Sequence, residues 1–220
     1  MAEENGFAWR EHEPPWNARG WLHGQTLEAL TAINEQSLAL LCEQAARCAV
    51  PAPALLSELR PLWCALDAEA CRRAAQCPCL LVDAGFTDAR RWGEDGAWRV
   101  HDHEYPLGER AFFSVPGSVD VLRQVLTFAW HLLHSQPAAA RLLLGVAPRC
   151  AELIAALPLG RLLHLADTRH DWLRPRWCDR PQLWRQLLSA ARSPEPGALE
   201  EIRLRGLPLL AGQLRAHGAG

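Results

Sequence analysis

Leu132–Trp177, LLHSQPAAARLLLGVAPRCAELIAALPLGRLLHLADTRHDWLRPRW, is the stretch whose reading decides the fold. Its apolar residues come in three short bursts separated by Gln136-Pro137, Gly145 and Pro158. Proline lacks a backbone donor and clashes with the preceding turn, and glycine weakens a helix interior, so each separator ends a helix. Three short apolar helices in series are predicted, closing on a Trp-rich extended piece. No catalytic signature lies inside.

Upstream, Val119–Ser135 keeps an amphipathic helical pattern, with Ser118 as its predicted cap. Downstream, Cys178-Asp179-Arg180-Pro181 reads as a helix start with proline in the first turn, leading into Gln182–Arg192. Residues 119–192 thus form one helical unit. Residues 193–220 are a loop, Ser193–Gly197, and a tail with a last helix from about Ala198 to Arg215, interrupted by Gly206 and Pro208.

The first half carries a weaker version of the same pattern. Residues 1–20 are a polar, turn-rich arm whose Trp9 and Trp16 are expected to pack on the chain's own domain. Thr26 is the predicted cap of a helix whose apolar face runs through Leu27, Leu30, Ile33, Leu38, Leu41 and Ala45 to Arg47. Pro51 and Pro53 stop it. A second helix is predicted from Ala54 to about Leu59, continuing toward Leu66, and Asp67 caps a third with Ala70, Cys71, Ala74 and Ala75 inward. Cys79–Val82 reads equally as strand or helix end. Residues 93–118 are glycine- and proline-rich and predict an irregular connector, with a hairpin around Trp98–Tyr105.

Sliding the chain by 91 positions lays these halves on each other. Ile33–Arg47 falls on Gln124–Ala138, Leu62 on Leu153, Leu66 on Leu157, Ala75 on Ala166 and Phe86 on Trp177. Asp88 meets Asp179, each ahead of a short helix bearing Arg and Trp.

Composition sets outer limits. The 220 residues are 49% hydrophobic and 22% charged, ordinary for a globular chain. All basic side chains are Arg, and the net charge of −2 gives no overall bias toward nucleic acid or membrane. No apolar run approaches the 18 or so residues of a membrane span, and no secretory signal is seen, so a cytoplasmic location with reduced thiols is expected.

Three constellations bear on chemistry. His101-Asp102-His103-Glu104 places two imidazoles on one side of an extended segment beside carboxylates, but no fixed spacing supplies a fourth ligand. Cys64, Cys71, Cys77 and Cys79 are dense but lack paired zinc-knuckle spacing, and Pro78 splits the last pair. No nucleophile elbow, metalloprotease motif or phosphate loop is present, so no catalytic residue, metal site or cofactor is assigned. The third is Trp172–Trp177 with Arg180, Trp184 and Arg185, where Arg174, Arg176, Arg180 and Arg185 are candidate phosphate contacts to DNA.

The gapless run of residues 131–177 resembles the FlhD family, whose members combine with FlhC to activate flagellar genes. The resemblance rests on Leu132, Leu133 and Gln136 at the helix end, the RLLLGV turn (Arg141–Val146), the junction Leu153–Leu159, and LLHLADT (Leu162–Thr168). It is clearest over residues 131–177, about a third of the chain with the helix upstream, and a degenerate second copy runs over residues 27–92, within a first repeat bounded at 21–92. It implies an all-helical regulatory or adaptor protein, not an enzyme, with an FlhC-like or other regulatory partner, nucleic acid contacted only in complex, and no membrane. Because such units bury their helix faces against a second copy, two units in one chain predict an intramolecular pseudo-dimer. Ile33–Arg47 would pack near Val119–Ser135, and the molecule would be monomeric. The alternative is a small metal-binding protein or enzyme built on His101–Glu104 and the Cys64–Cys79 group.

Overall fold

The computed structural model describes residues 24–47, 52–93, 111–114, 116–195 and 197–203. The fold is mainly helical. The arm at 1–20, the hairpin expected around Trp98–Tyr105 and most of the tail lie outside the described residues.

Helix α1, Gly24–Arg47, is the longest element. It starts before the predicted cap: Thr26 sits in its first turn, buried, where its hydroxyl accepts from Gln136 Nε2 at 3.4 Å. Pro53 then opens α2 (Ala54–Ser57), and Pro61 starts α3 (Arg60–Cys64) instead of continuing it, because proline is tolerated only in a first turn. Asp67 caps α4 (Ala68–Ala75) as expected, accepting from Ala70 N at 2.7 Å. Ala70, Ala74 and Ala75 face the core, and Cys71 sits at its edge. The ambiguous Cys79–Val82 run resolves as extended chain ending in strand β1, Val82–Asp83, and α5 (Ala89–Trp92) follows, capped by Asp88.

The second half begins with α6, Ser118–Ser135. Ser118 is the first helical residue and buried, so Gly117 takes the cap position with no side-chain bond. Then come α7 (Pro137–Leu144), α8 (Pro148–Ala156) and α9 (Leu159–Thr168), the three predicted short helices. Gly145 ends α7 with φ +59, a left-handed conformation that glycine adopts without a Cβ penalty. A 3-10 turn (His170–Trp172), strand β2 (Arg174–Pro175) and α10 (Pro181–Arg192) complete the order, with a helical stretch over 197–203.

β1 and β2 pair antiparallel, Val82 opposite Pro175 and Asp83 opposite Arg174. Around this ladder the chain is stitched by backbone bonds from Leu80 N to Leu143 O (2.8 Å), Ala147 N to Phe86 O (2.9 Å) and Arg176 N to Leu81 O (2.9 Å). Within the halves, α1 packs on α4 and α6 on α9. Between them, α1 packs on α6, α5 on α8, and α10 on α3 and α4. A single apolar core results, including Leu41, Leu56, Trp63, Leu81, Phe86, Leu126, Leu144, Ile154 and Trp184.

Candidate functional site

The Arg-Trp segment leaves β2 through Trp177, the one non-glycine residue with positive φ (+51) among the described residues. Gly85, just after β1, has φ +77, and a Cβ there would stand 2.9 Å from Arg91 Cδ. Asp83 forms the turn between β1 and Phe86: its Oδ2 accepts from Gly85 N at 2.9 Å and its Oδ1 from Phe86 N at 3.3 Å.

Four arginines were expected to form one phosphate-binding surface, and the structure separates them. Arg176 is only 4% exposed. Its Nη2 donates to the Leu144 carbonyl and lies 3.6 Å from Asp83 Oδ1, so it ties α7 to the ladder. Buried in this way, it is unavailable to a duplex. Arg174 is half-buried opposite Asp83. Arg180 and Arg185 are exposed, and Arg180 stands 3.7 Å from Asp179. Two tryptophans of the segment, Trp172 and Trp184, are buried in the core. Trp184 is buried, donates its indole N–H to Arg176 O at 2.7 Å and lies 5.4 Å from the Trp63 ring. Trp172 meets Trp92 edge-on at 5.3 Å. Arginine is so rarely fully buried that composition directs it to the surface. The available signal was Pro175 between two arginines, which places Arg174 and Arg176 on one face of an extended segment.

The cysteine group also divides. Cys77 and Cys79 are buried, their thiols pushed up to about 12 and about 11 first by loss of solvent. Cys71, on α4, instead hydrogen-bonds Cys42 on α1, whose thiol rises to about 12 through burial and then Cys71 itself. Cys64 is exposed. Among the described residues no group of three or more His, Cys, Asp or Glu is placed to hold a metal. His101–Glu104 lies outside them.

Sequence reasoning missed a groove between α1 and α6. Two adjoining cavities of about 390 and 510 Å³ share Ala29, Phe128 and His131, and Gln36 accepts from Gln124 Nε2 at 2.5 Å beyond one end. Small residues on α1 (Ala29, Ala32) leave half-buried Phe128 open to it. No described helix is long and apolar enough to cross a membrane. No protein-family model, curated protein or solved structure matches the chain.

Proposed function

We propose that the chain is a non-enzymatic regulatory or adaptor protein of FlhD type, a single-chain pseudo-dimer that acts through protein–protein contacts. The observation that carries it is the reciprocal exchange of closing helices: α10 of the second half packs on α3 of the first, and α5 of the first packs on α8 of the second. Each half runs long helix, short helices, strand, closing helix. α4 (68–75) shifted by 91 falls within α9 (159–168), and α3 (60–64) within α8 (148–156). The antiparallel β1–β2 pair is what a two-fold axis imposes on two equivalent strands.

Finer features repeat as well. Trp92 donates its indole N–H to Gly85 O at 2.8 Å, as Trp184 does to Arg176 O, with Trp184 92 positions after Trp92. The two left-handed turns, Gly85 and Trp177, have the same spacing of 92. A chain that supplies both copies closes its own interface, and the monomer is the expected state. Light scattering at micromolar concentration should give 24.5 kDa; twice that mass would refute the pseudo-dimer.

The groove between α1 and α6 supports a helix-sized partner contact, of the kind in which apolar knobs from one helix enter a cleft between two others. An FlhC-like or other regulatory protein is the proposed partner. Any nucleic acid contact belongs to that complex and falls to exposed Arg180 and Arg185, with Arg174 at their margin. Affinity capture from the native cell with wild type and Phe128→Glu tests the contact. A specific partner lost in the variant, with helical circular dichroism kept, supports it; a partner retained at equal yield removes the groove from the proposal.

A further inference from the structure

The chain that leads into α6 seals one end of the seam between the two long helices. Phe112 and Phe113 are buried there and meet edge-on at 5.0 Å. Beside them, Ser114 grips α1: its N–H donates to Gln44 Oε1 at 3.1 Å, and its Oγ accepts from Gln44 Nε2 at 3.1 Å. Gly117 stands over Leu40, where a Cβ would lie 3.4 Å from Leu40 Cδ1. At the other end of the seam lies the first of the two groove cavities, about 390 Å³, lined by Thr26, Ala29, Phe128, His131, Leu132 and Ser135 among others. The 91-position shift relates the two ends. Leu40 corresponds to His131, Gln44 to Ser135 and Gly117 to Thr26, and all three counterparts line this cavity. The counterparts of Phe112 and Phe113 are Trp21 and Leu22. A two-fold axis makes contacts reciprocal, so a segment that packs on α1 just before α6 implies one that packs on α6 just before α1.

We propose that Trp21 and Leu22 of this same chain fill the cavity, as the counterparts of Phe112 and Phe113. The assignment rests on the pseudo-dimer reading. The occupant suits the site in reach and in chemistry. Both residues stand within three positions of Gly24, the first residue of α1, and each residue spans at most about 3.6 Å. They therefore reach the wall that Gln25 and Thr26 begin. Ala29, Phe128 and Leu132 offer an apolar surface to an indole, and His131 and Ser135 offer polar atoms to its N–H. So short a tether gives the pair a local concentration that a free ligand does not match. A partner that enters the groove then meets the neighbouring cavity, about 510 Å³, with the Trp21 ring as its end wall.

Photo-crosslinking locates the contact. Trp21 is replaced by p-benzoylphenylalanine in the full chain, and the products of irradiation are mapped by mass spectrometry. Crosslinks to the α6 residues Phe128–Ser135 are expected; crosslinks confined to other elements, or none, overturn the proposal. A double-variant cycle gives a second reading without the photoreactive group. Trp21→Ala and Phe128→Ala should each lower Tm by about 5 °C, and the double variant should lose clearly less than the sum, because the two side chains share one contact. Additive losses overturn the proposal. Light scattering on the same samples separates this contact from the reading beneath it. A monomer mass with crosslinks elsewhere sinks the contact and leaves the pseudo-dimer. A dimer mass with the crosslinks to α6 kept refutes the pseudo-dimer and upholds the contact.

Discussion

Asn34 has no solvent exposure and fastens α1 to the segment leading into β1. Its Nδ2 donates to Ala75 O (3.1 Å) and Cys79 O (3.0 Å), and its Oδ1 accepts from Leu81 N (2.9 Å). Asn34→Ala orphans three buried backbone groups at about 1–3 kcal/mol each. A loss of about 3–5 kcal/mol is expected, less than the full sum because neighbouring groups relax, and urea unfolding measures it. Asp67→Ala removes one cap bond and should cost about 1 kcal/mol in the same assay. The buried thiols set a pH dependence. Burial raises both above 9.0, the ordinary thiol value, so the protonated form is favoured in the fold. The associated stability is fully present below pH 9 and is lost as pH rises toward 11 and 12. Each thiol should contribute a slope of about −1.4 kcal/mol per pH unit inside that window. Replacing Cys77 with Ala should make the alkaline decline shallower; an unchanged slope would show that burial does not raise the thiol in the fold.

At the scale of elements, many helix boundaries were legible from a proline or a capping residue. Asp67, Pro137, Pro148, Pro158 and Pro181 each stand within a residue of a boundary, because the chemistry that stops or starts a helix is local. Thr26 and Ser118 misled: both are good caps by type, yet Thr26 sits in the first turn of α1 with Gln136 as its partner, and Ser118 is the buried first residue of α6. Arg176 misled more deeply. Its place is fixed by Leu144 and Asp83, 32 and 93 positions away, and no window of sequence contains all three. The closing helices also make a prediction. Trp184→Ala opens the contact with Trp63 and removes the bond to Arg176 O, so a loss of about 3–5 kcal/mol is expected from thermal or urea unfolding. Trp92→Ala, with its bond to Gly85 O and its contact to Trp172, should cost a similar amount.

For the whole molecule, α5 on α8 and α10 on α3 and α4 join the two halves, and this packing is expected to hold them after the chain between them is cut. A protease site placed within residues 94–110, cut after folding, should leave two fragments that co-elute in gel filtration at the intact size. Separation without denaturant would mean that α5–α8 and α10–α3 are too weak to act as the joint. The proposed 91-residue repeat rests on apolar spacing that the sequence itself displays. Which half a closing helix packs on does not show there, because its pattern is the same whether it returns to its own half or crosses to the other.

That crossing also sets a clock on synthesis. The surface of α3 and α4 that α10 covers is made more than 100 residues before α10 exists. At about 5–20 residues per second the gap is roughly 6–25 s, during which the nascent first half shows an apolar face with nothing to put on it. Folding therefore completes only near the end of translation, and the first half, expressed alone, should be captured by chaperones or precipitate.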